Sequence, residues 1–104
     1  MENIKYSIVM HTPIGLRYGT INICQAEGQI KGTLDILNHS EPFSGTLDSE
    51  GNCTICGRLV TLMRNISYTA IGSFDEKTIE LLLQGERNKF KITGIAVSES
   101  EVDI

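Results

Sequence analysis

Apolar residues alternate with polar ones along almost the whole chain, and no stretch sustains a 3.6-residue period over a helix's length. In KYSIVMH the residues Ile4, Tyr6, Ile8 and Met10 share one face, and GTINIC continues with Ile21 and Ile23. GQIKGTLDIL aligns Ile30, Gly32, Leu34 and Ile36, and PFSGTL aligns Phe43, Gly45 and Leu47. NCTICGRLV places Cys53, Ile55, Gly57 and Leu59 together, and ISYTAIGSF does the same for Ile66, Tyr68, Ala70 and Gly72. TIELLLQ aligns Ile79, Leu81 and Leu83, and KFKITGIAV aligns Phe90, Ile92, Gly94 and Ala96. Turn-forming residues fall between these runs, at Thr12–Gly15, Glu27–Gly28, Asn38–Pro42, Ser49–Asn52, Asp75–Lys77 and Gly85–Asn88. Eight short strands joined by hairpin-length turns predict an all-β, antiparallel up-and-down meander.

A shift of 49 positions superposes the chain on itself, pairing Thr12 with Thr61, Glu27 with Glu76, Ile30 with Ile79, Leu34 with Leu83 and Gly45 with Gly94. The inward faces stay in phase under this shift. Two pseudo-repeated four-stranded halves are implied, about 1–49 and 50–98, within one domain spanning 1–104. The end of the chain, 99–104, has no counterpart left to pair with and is expected to fray.

Glycine stands on the inward face at Gly32, Gly45, Gly57, Gly72 and Gly94. Glycine within a strand weakens it and marks a bend or a close approach. Repeated across neighbouring strands, it predicts a sheet curled until it closes into a small barrel, which removes both exposed edges. An open, strongly curved sheet that pairs with a second chain is the rival geometry.

The segments HTPIG, YGTINI, GQIKGTLDI, PFSGTL, ISYTAIGS and FKITGIA together resemble an uncharacterised family of small bacterial proteins. Its members repeat Thr-Pro-(Met or Ile)-Gly, a Gly-Thr strand and Phe-x-Gly. The resemblance spans most of residues 4–97 and implies a lipocalin-like, or calycin-like, β-barrel, without an activity to carry over. Where the second half would repeat the proline-bearing turn, the chain has Thr61-Leu62-Met63-Arg64 instead.

Composition narrows the function. The 104 residues carry a net charge of −4, with 40% hydrophobic and 21% charged residues, and a pI near 5.0. The lysines and arginines are scattered, which argues against nucleic acid or an anionic membrane as partner. No window reaches the roughly 18 continuous apolar residues of a membrane span, and the opening residues lack the basic-then-apolar order of a signal peptide. Three cysteines, an odd number at low density, suit reduced thiols in the cytoplasm.

Candidate chemistry is sparse. Cys53-Thr54-Ile55-Cys56 has the spacing of a zinc or redox motif. Within a strand, however, residues three apart point to opposite faces, so Cys53 is expected inward and Cys56 outward. No metal, cofactor or catalytic constellation is expected; His11 and His39 are isolated, with His39 in a loop. Tyr6, Phe43, Tyr68 and Phe90 face inward and are candidates to line a pocket for a small apolar ligand; simple filling of the barrel is the alternative. Outward positions of the first half are polar, whereas the second half presents Val60, Leu62, Ile71, Leu82, Ile95 and Val97. An apolar outer face marks an interface, so a homodimer or a protein partner is expected there. The function expected is a non-catalytic binding module for a small apolar ligand; the alternative is a filled barrel acting through its outer face.

Overall fold

The computed structural model describes residues 2–61, 63 and 65–97. Eight strands follow in order: β1 Glu2–Thr12, β2 Gly15–Ala26, β3 Gln29–Ile36, β4 His39–Leu47, β5 Asn52–Val60, β6 Asn65–Phe74, β7 Thr78–Gln84 and β8 Lys89–Ala96. Each pairs antiparallel with its neighbour, and β8 returns to β1 through Tyr6↔Ala96 to His11↔Lys91. The result is a closed eight-stranded meander barrel. Adding 49 to the bounds of β1–β4 gives 51–61, 64–75, 78–85 and 88–96, within two residues of β5–β8 at every end. The expected frayed tail, 99–104, and the interface candidate Leu62 lie outside the described residues.

Alternation decides what is buried. Tyr6, Ile8 and Met10 of β1, Ile21 and Ile23 of β2, and Ile55 and Leu59 of β5 are each 3% exposed or less, and among the described residues no polar or charged side chain is buried with them. The inward glycines sit where neighbouring atoms have closed in, backbone at some and side chain at others. A Cβ on Gly32 would fall 1.8 Å from the Asn22 carbonyl oxygen, and one on Gly57 would fall 2.5 Å from the Tyr68 hydroxyl. Phe43 stands opposite both glycines, in register with Gly32 on β3 and with Gly57 on β5. The tip of its ring covers Gly32, whereas the Tyr68 ring covers Gly57 with the Phe43 Cβ beside it, so the wall bends without leaving a hole.

The two ends of the barrel differ. At the end carrying the β2–β3, β4–β5 and β6–β7 turns, Tyr6 packs edge-on against Phe74, with ring centroids 6.3 Å apart. The Tyr6 hydroxyl donates to the Asp75 carbonyl oxygen. Two aspartates there act as turn acceptors: Asp48 Oδ1 takes the amides of Glu50 and Asn52 at 2.8 and 3.0 Å, and Asp75 Oδ1 those of Lys77 and Thr78, both at 2.8 Å. These amide bonds hold both carboxyls below the ordinary carboxylate pKa. This end is plugged.

The opposite end flares. The β1–β2 ladder runs on to Thr12↔Gly15, but the β2–β3 ladder stops at Thr20↔Asp35, so residues 15–19 of β2 overhang β3. The β4–β5 ladder stops at Phe43↔Gly57. It parts next to Pro42, which has no N–H to donate. The β3–β4 connection corrects the sequence reading: a two-residue turn at Leu37–Asn38, with φ of 57° and 66°, replaces the expected Asn38–Pro42 loop. Positive φ at both central residues suits the right-handed twist of a hairpin. His39 consequently begins β4 rather than lying in a loop.

Candidate functional site

A cavity of about 1030 Å³ opens at the flared end. Met10, Ile36 and Leu59 form its floor, each 6% exposed or less. Leu37, Ile66 and Phe90, half-buried, form its walls. Its rim mixes exposed apolar side chains, Ile14 at 81%, Tyr18 at 70% and Met63 at 90%, with the polar Asn38, His39 and Ser40. Apolar side chains gathered around a concave apolar floor mark a binding site more than a stable free surface.

Local chain geometry explains how the rim is held. At the β1–β2 tip, Thr12 Oγ1 donates to the Gly15 carbonyl at 2.6 Å, and Gly15 takes a φ of 127° that favours glycine. At the β5–β6 tip the Met63 amide donates to Thr61 Oγ1 at 3.2 Å. Leu37 is held in the left-handed region, which a residue with a branched side chain seldom occupies, at a cost of order 1–3 kcal/mol. That strained residue is part of the cavity wall.

Of the four residues expected to line a pocket, Phe90 alone borders this cavity. Tyr6, Phe43 and Tyr68 are 0%, 4% and 7% exposed and belong to the packed core. The reason is steric: the rings occupy the space beside the inward glycines and across the plugged end, so the mid-barrel is filled. The cavity thus lies at the mouth rather than in the interior. From the sequence, Ile36 and Leu59 are expected inward and His39 in a loop, but none of them at a pocket; Arg17 and Leu37 are not singled out, although the alternation Arg17, Gly19, Ile21, Ile23 carries the signal for Arg17.

Burial raises the pKa of Tyr68 to about 12. It also raises that of Tyr6 to about 12, with the nearby Asp75 charge adding to the effect. Both groups are disfavoured as phenolates in the folded barrel, so their contribution to stability is complete below pH 10 and is lost as pH rises toward 12. In an alkaline absorbance titration, two of the three tyrosines should ionise only near pH 12, together with unfolding. Full ionisation of all three while the barrel remains folded, well below that pH, would contradict this packing.

The cysteines do not converge. Cys53 is buried and Cys56 exposed, as strand geometry requires, and all three cysteines are free. Burial pushes the Cys53 thiol up, opposite to what a reactive thiolate needs. Among the described residues no group of three or more His, Cys, Asp or Glu side chains is placed to hold a metal ion, and no helix is long and apolar enough to cross a membrane.

The exposed apolar side chains of the second half fall in separate places. Ile71 lies directly opposite Leu82, at 56% and 37% exposure. Ile95 is paired with Thr78 and Ser7. Thr93 and the Lys91–Glu80 ion pair, at 3.8 Å, stand between these groups. Val97 follows β8 with its amide bonded to the Lys5 carbonyl, and Val60 is half-buried at the end of β5.

No family model matches the chain, and no curated protein matches it. Two solved structures share its fold. One is a redesigned β-barrel, mFAP1, bound to DFHBI: TM-score 0.68 at 12% identity, covering 90% of this chain and 92% of the other. The second is another redesigned β-barrel, b11L5F_LGL: TM-score 0.59 at 11% identity, covering 91% of this chain and 89% of the other. At such identities the likeness concerns the fold.

Proposed function

We propose that this barrel is a non-catalytic binding module that takes a small apolar molecule at its open mouth. The observation that carries the reading is the cavity of about 1030 Å³, with an apolar floor and walls and a rim that mixes apolar with polar side chains, in a barrel whose middle is otherwise filled. Its size is at the upper end of the roughly 300–1,000 Å³ usual for small-molecule sites. The strained Leu37 on the wall supports it, since strain of this kind concentrates at ligand sites. The fold itself is compatible, because the mFAP1 barrel holds DFHBI. The three free cysteines suit a reducing, cytoplasmic setting, and the glycine-patterned bacterial family remains the sequence resemblance that fits best. Self-association through the second-half outer face is a lesser reading, because polar residues interrupt that face.

The test is a fluorescence titration with N-phenyl-1-naphthylamine, a neutral aromatic dye that brightens in apolar sites. Saturable one-site binding is expected. Phe90→Ala should weaken it about tenfold, as removal of an aromatic anchor does, while Ile71→Ser on the outer wall leaves it unchanged. A folded protein that shows no saturable binding sinks the proposal.

A further inference from the structure

Arg17 occupies an unusual position in the mouth. It is in register with Met10 and in phase with Gly19, Ile21 and Ile23, so it holds an inward position in the uppermost layer of the barrel. The rest of that layer is largely apolar, with Met10, Ile36, Leu59 and Phe90. The residue as a whole is half-buried, but its guanidinium lies at the exposed β1–β2 tip, where it is open to an anionic partner. Among the described residues Arg17 forms no ion pair; its Nη1 donates to the Leu16 carbonyl at 3.0 Å.

The nearby carboxylates have other engagements. Asp35 is on the outward phase of β3, where its Oδ2 accepts from the Thr20 hydroxyl at 3.3 Å. Glu41 is on the inward phase of β4, opposite Leu34, but does not border the cavity, and it accepts from Arg58 at 3.3 Å. The other protonatable group on the inward phase of the cavity is His39, opposite Ile36. The inward chemistry of the mouth is therefore an apolar floor with a guanidinium and an imidazole beside it, and no inward carboxylate borders the cavity among the described residues.

We infer that the ligand is an amphiphile: an apolar body that lies on Met10, Ile36, Leu59 and Phe90, with one anionic group, a carboxylate or sulfonate, held by Arg17. This rests on the mouth-binding reading and adds a charge requirement to it. Arg17 presents a planar fork of donors that matches such an oxyanion.

Two dyes with the same aromatic body separate the charge from the apolar contact. 1-Anilinonaphthalene-8-sulfonate carries the anion and N-phenyl-1-naphthylamine lacks it. Both are titrated into the full chain and into Arg17→Gln and Arg17→Lys, with circular dichroism establishing that each variant is folded. Arg17→Gln should weaken the sulfonate dye about tenfold and leave the neutral dye within about twofold; Arg17→Lys should restore part of the loss. If the neutral dye binds while the sulfonate dye is indifferent to Arg17, or if both dyes weaken equally in Arg17→Gln, the charge assignment is overturned. If neither dye binds the folded parent chain, the mouth-binding reading fails first, and this inference fails with it.

Discussion

Replacing Gly72 with alanine is expected to destabilise the barrel by about 3 kcal/mol, the upper part of the usual range for overpacking. A Cβ there would lie 2.0 Å from the Glu80 carbonyl oxygen and 2.9 Å from Leu81 Cα. Both are backbone atoms of the paired strand, so no rotamer change relieves the clash. Either the β6–β7 ladder, which holds Gly72↔Leu81, must open, or the curvature must relax. Gly51→Ala is the natural control. Gly51 has a φ of 91° and nothing within 4 Å of a Cβ, so its cost is conformational, on the order of 1–2 kcal/mol. Urea unfolding of both variants measures the difference. Equal midpoints would mean that the inward glycines are not needed for curvature.

Phe43→Ala should cost about 3–5 kcal/mol, the range for emptying an aromatic core position. The residue is 4% exposed; the tip of its ring covers Gly32, and its Cβ lies beside Gly57, which the Tyr68 ring covers. Gly32 supplies no side-chain atoms to collapse into the space, and alanine keeps only the Cβ that lies beside Gly57. Because such a loss is a large part of the roughly 5–15 kcal/mol that holds a small domain together, the variant is best measured by urea unfolding at low temperature. Affinity for N-phenyl-1-naphthylamine per folded molecule should remain as in the parent chain, since Phe43 lies outside the mouth cavity. A cost below about 1 kcal/mol, or a lost dye site with stability intact, would return Phe43 to the role of a ligand contact.

These two positions show how far the residue pattern reaches. Period-two alternation located all eight strands because each strand buries one face, and slipping a strand by one residue would invert it. Glycine at inward positions foretold curvature, since a bend tight enough to close eight strands leaves no room for a Cβ. The split of Cys53 inward and Cys56 outward followed from the pleat alone.

The mouth was less legible, for physical reasons. A leucine at Leu37 reads as the end of a strand, whereas the hairpin places it at φ 57°, so the turn was displaced into residues that only resemble a loop. How far one ladder outruns the next depends on the stagger of the whole barrel, and no local pattern encodes it. The overhang of residues 15–19, which lifts Arg17 and Tyr18 over the cavity, is a property of that stagger. The four inward aromatics were visible as a set, but not which of them would fill the barrel and which would reach the opening.

The barrel is closed and filled at its middle, and in the proposed function it binds at one end. Backbone amide shifts recorded while N-phenyl-1-naphthylamine is added test it most directly. Perturbations are expected at Ile14, Arg17, Tyr18, Leu37, His39, Leu59 and Phe90, around the mouth. Quiet amides are expected at Tyr6, Phe74 and Asp75, on the plugged end. Shifts centred on the Tyr6–Phe74 end or on the outer Ile71–Leu82 pair would contradict the proposed function.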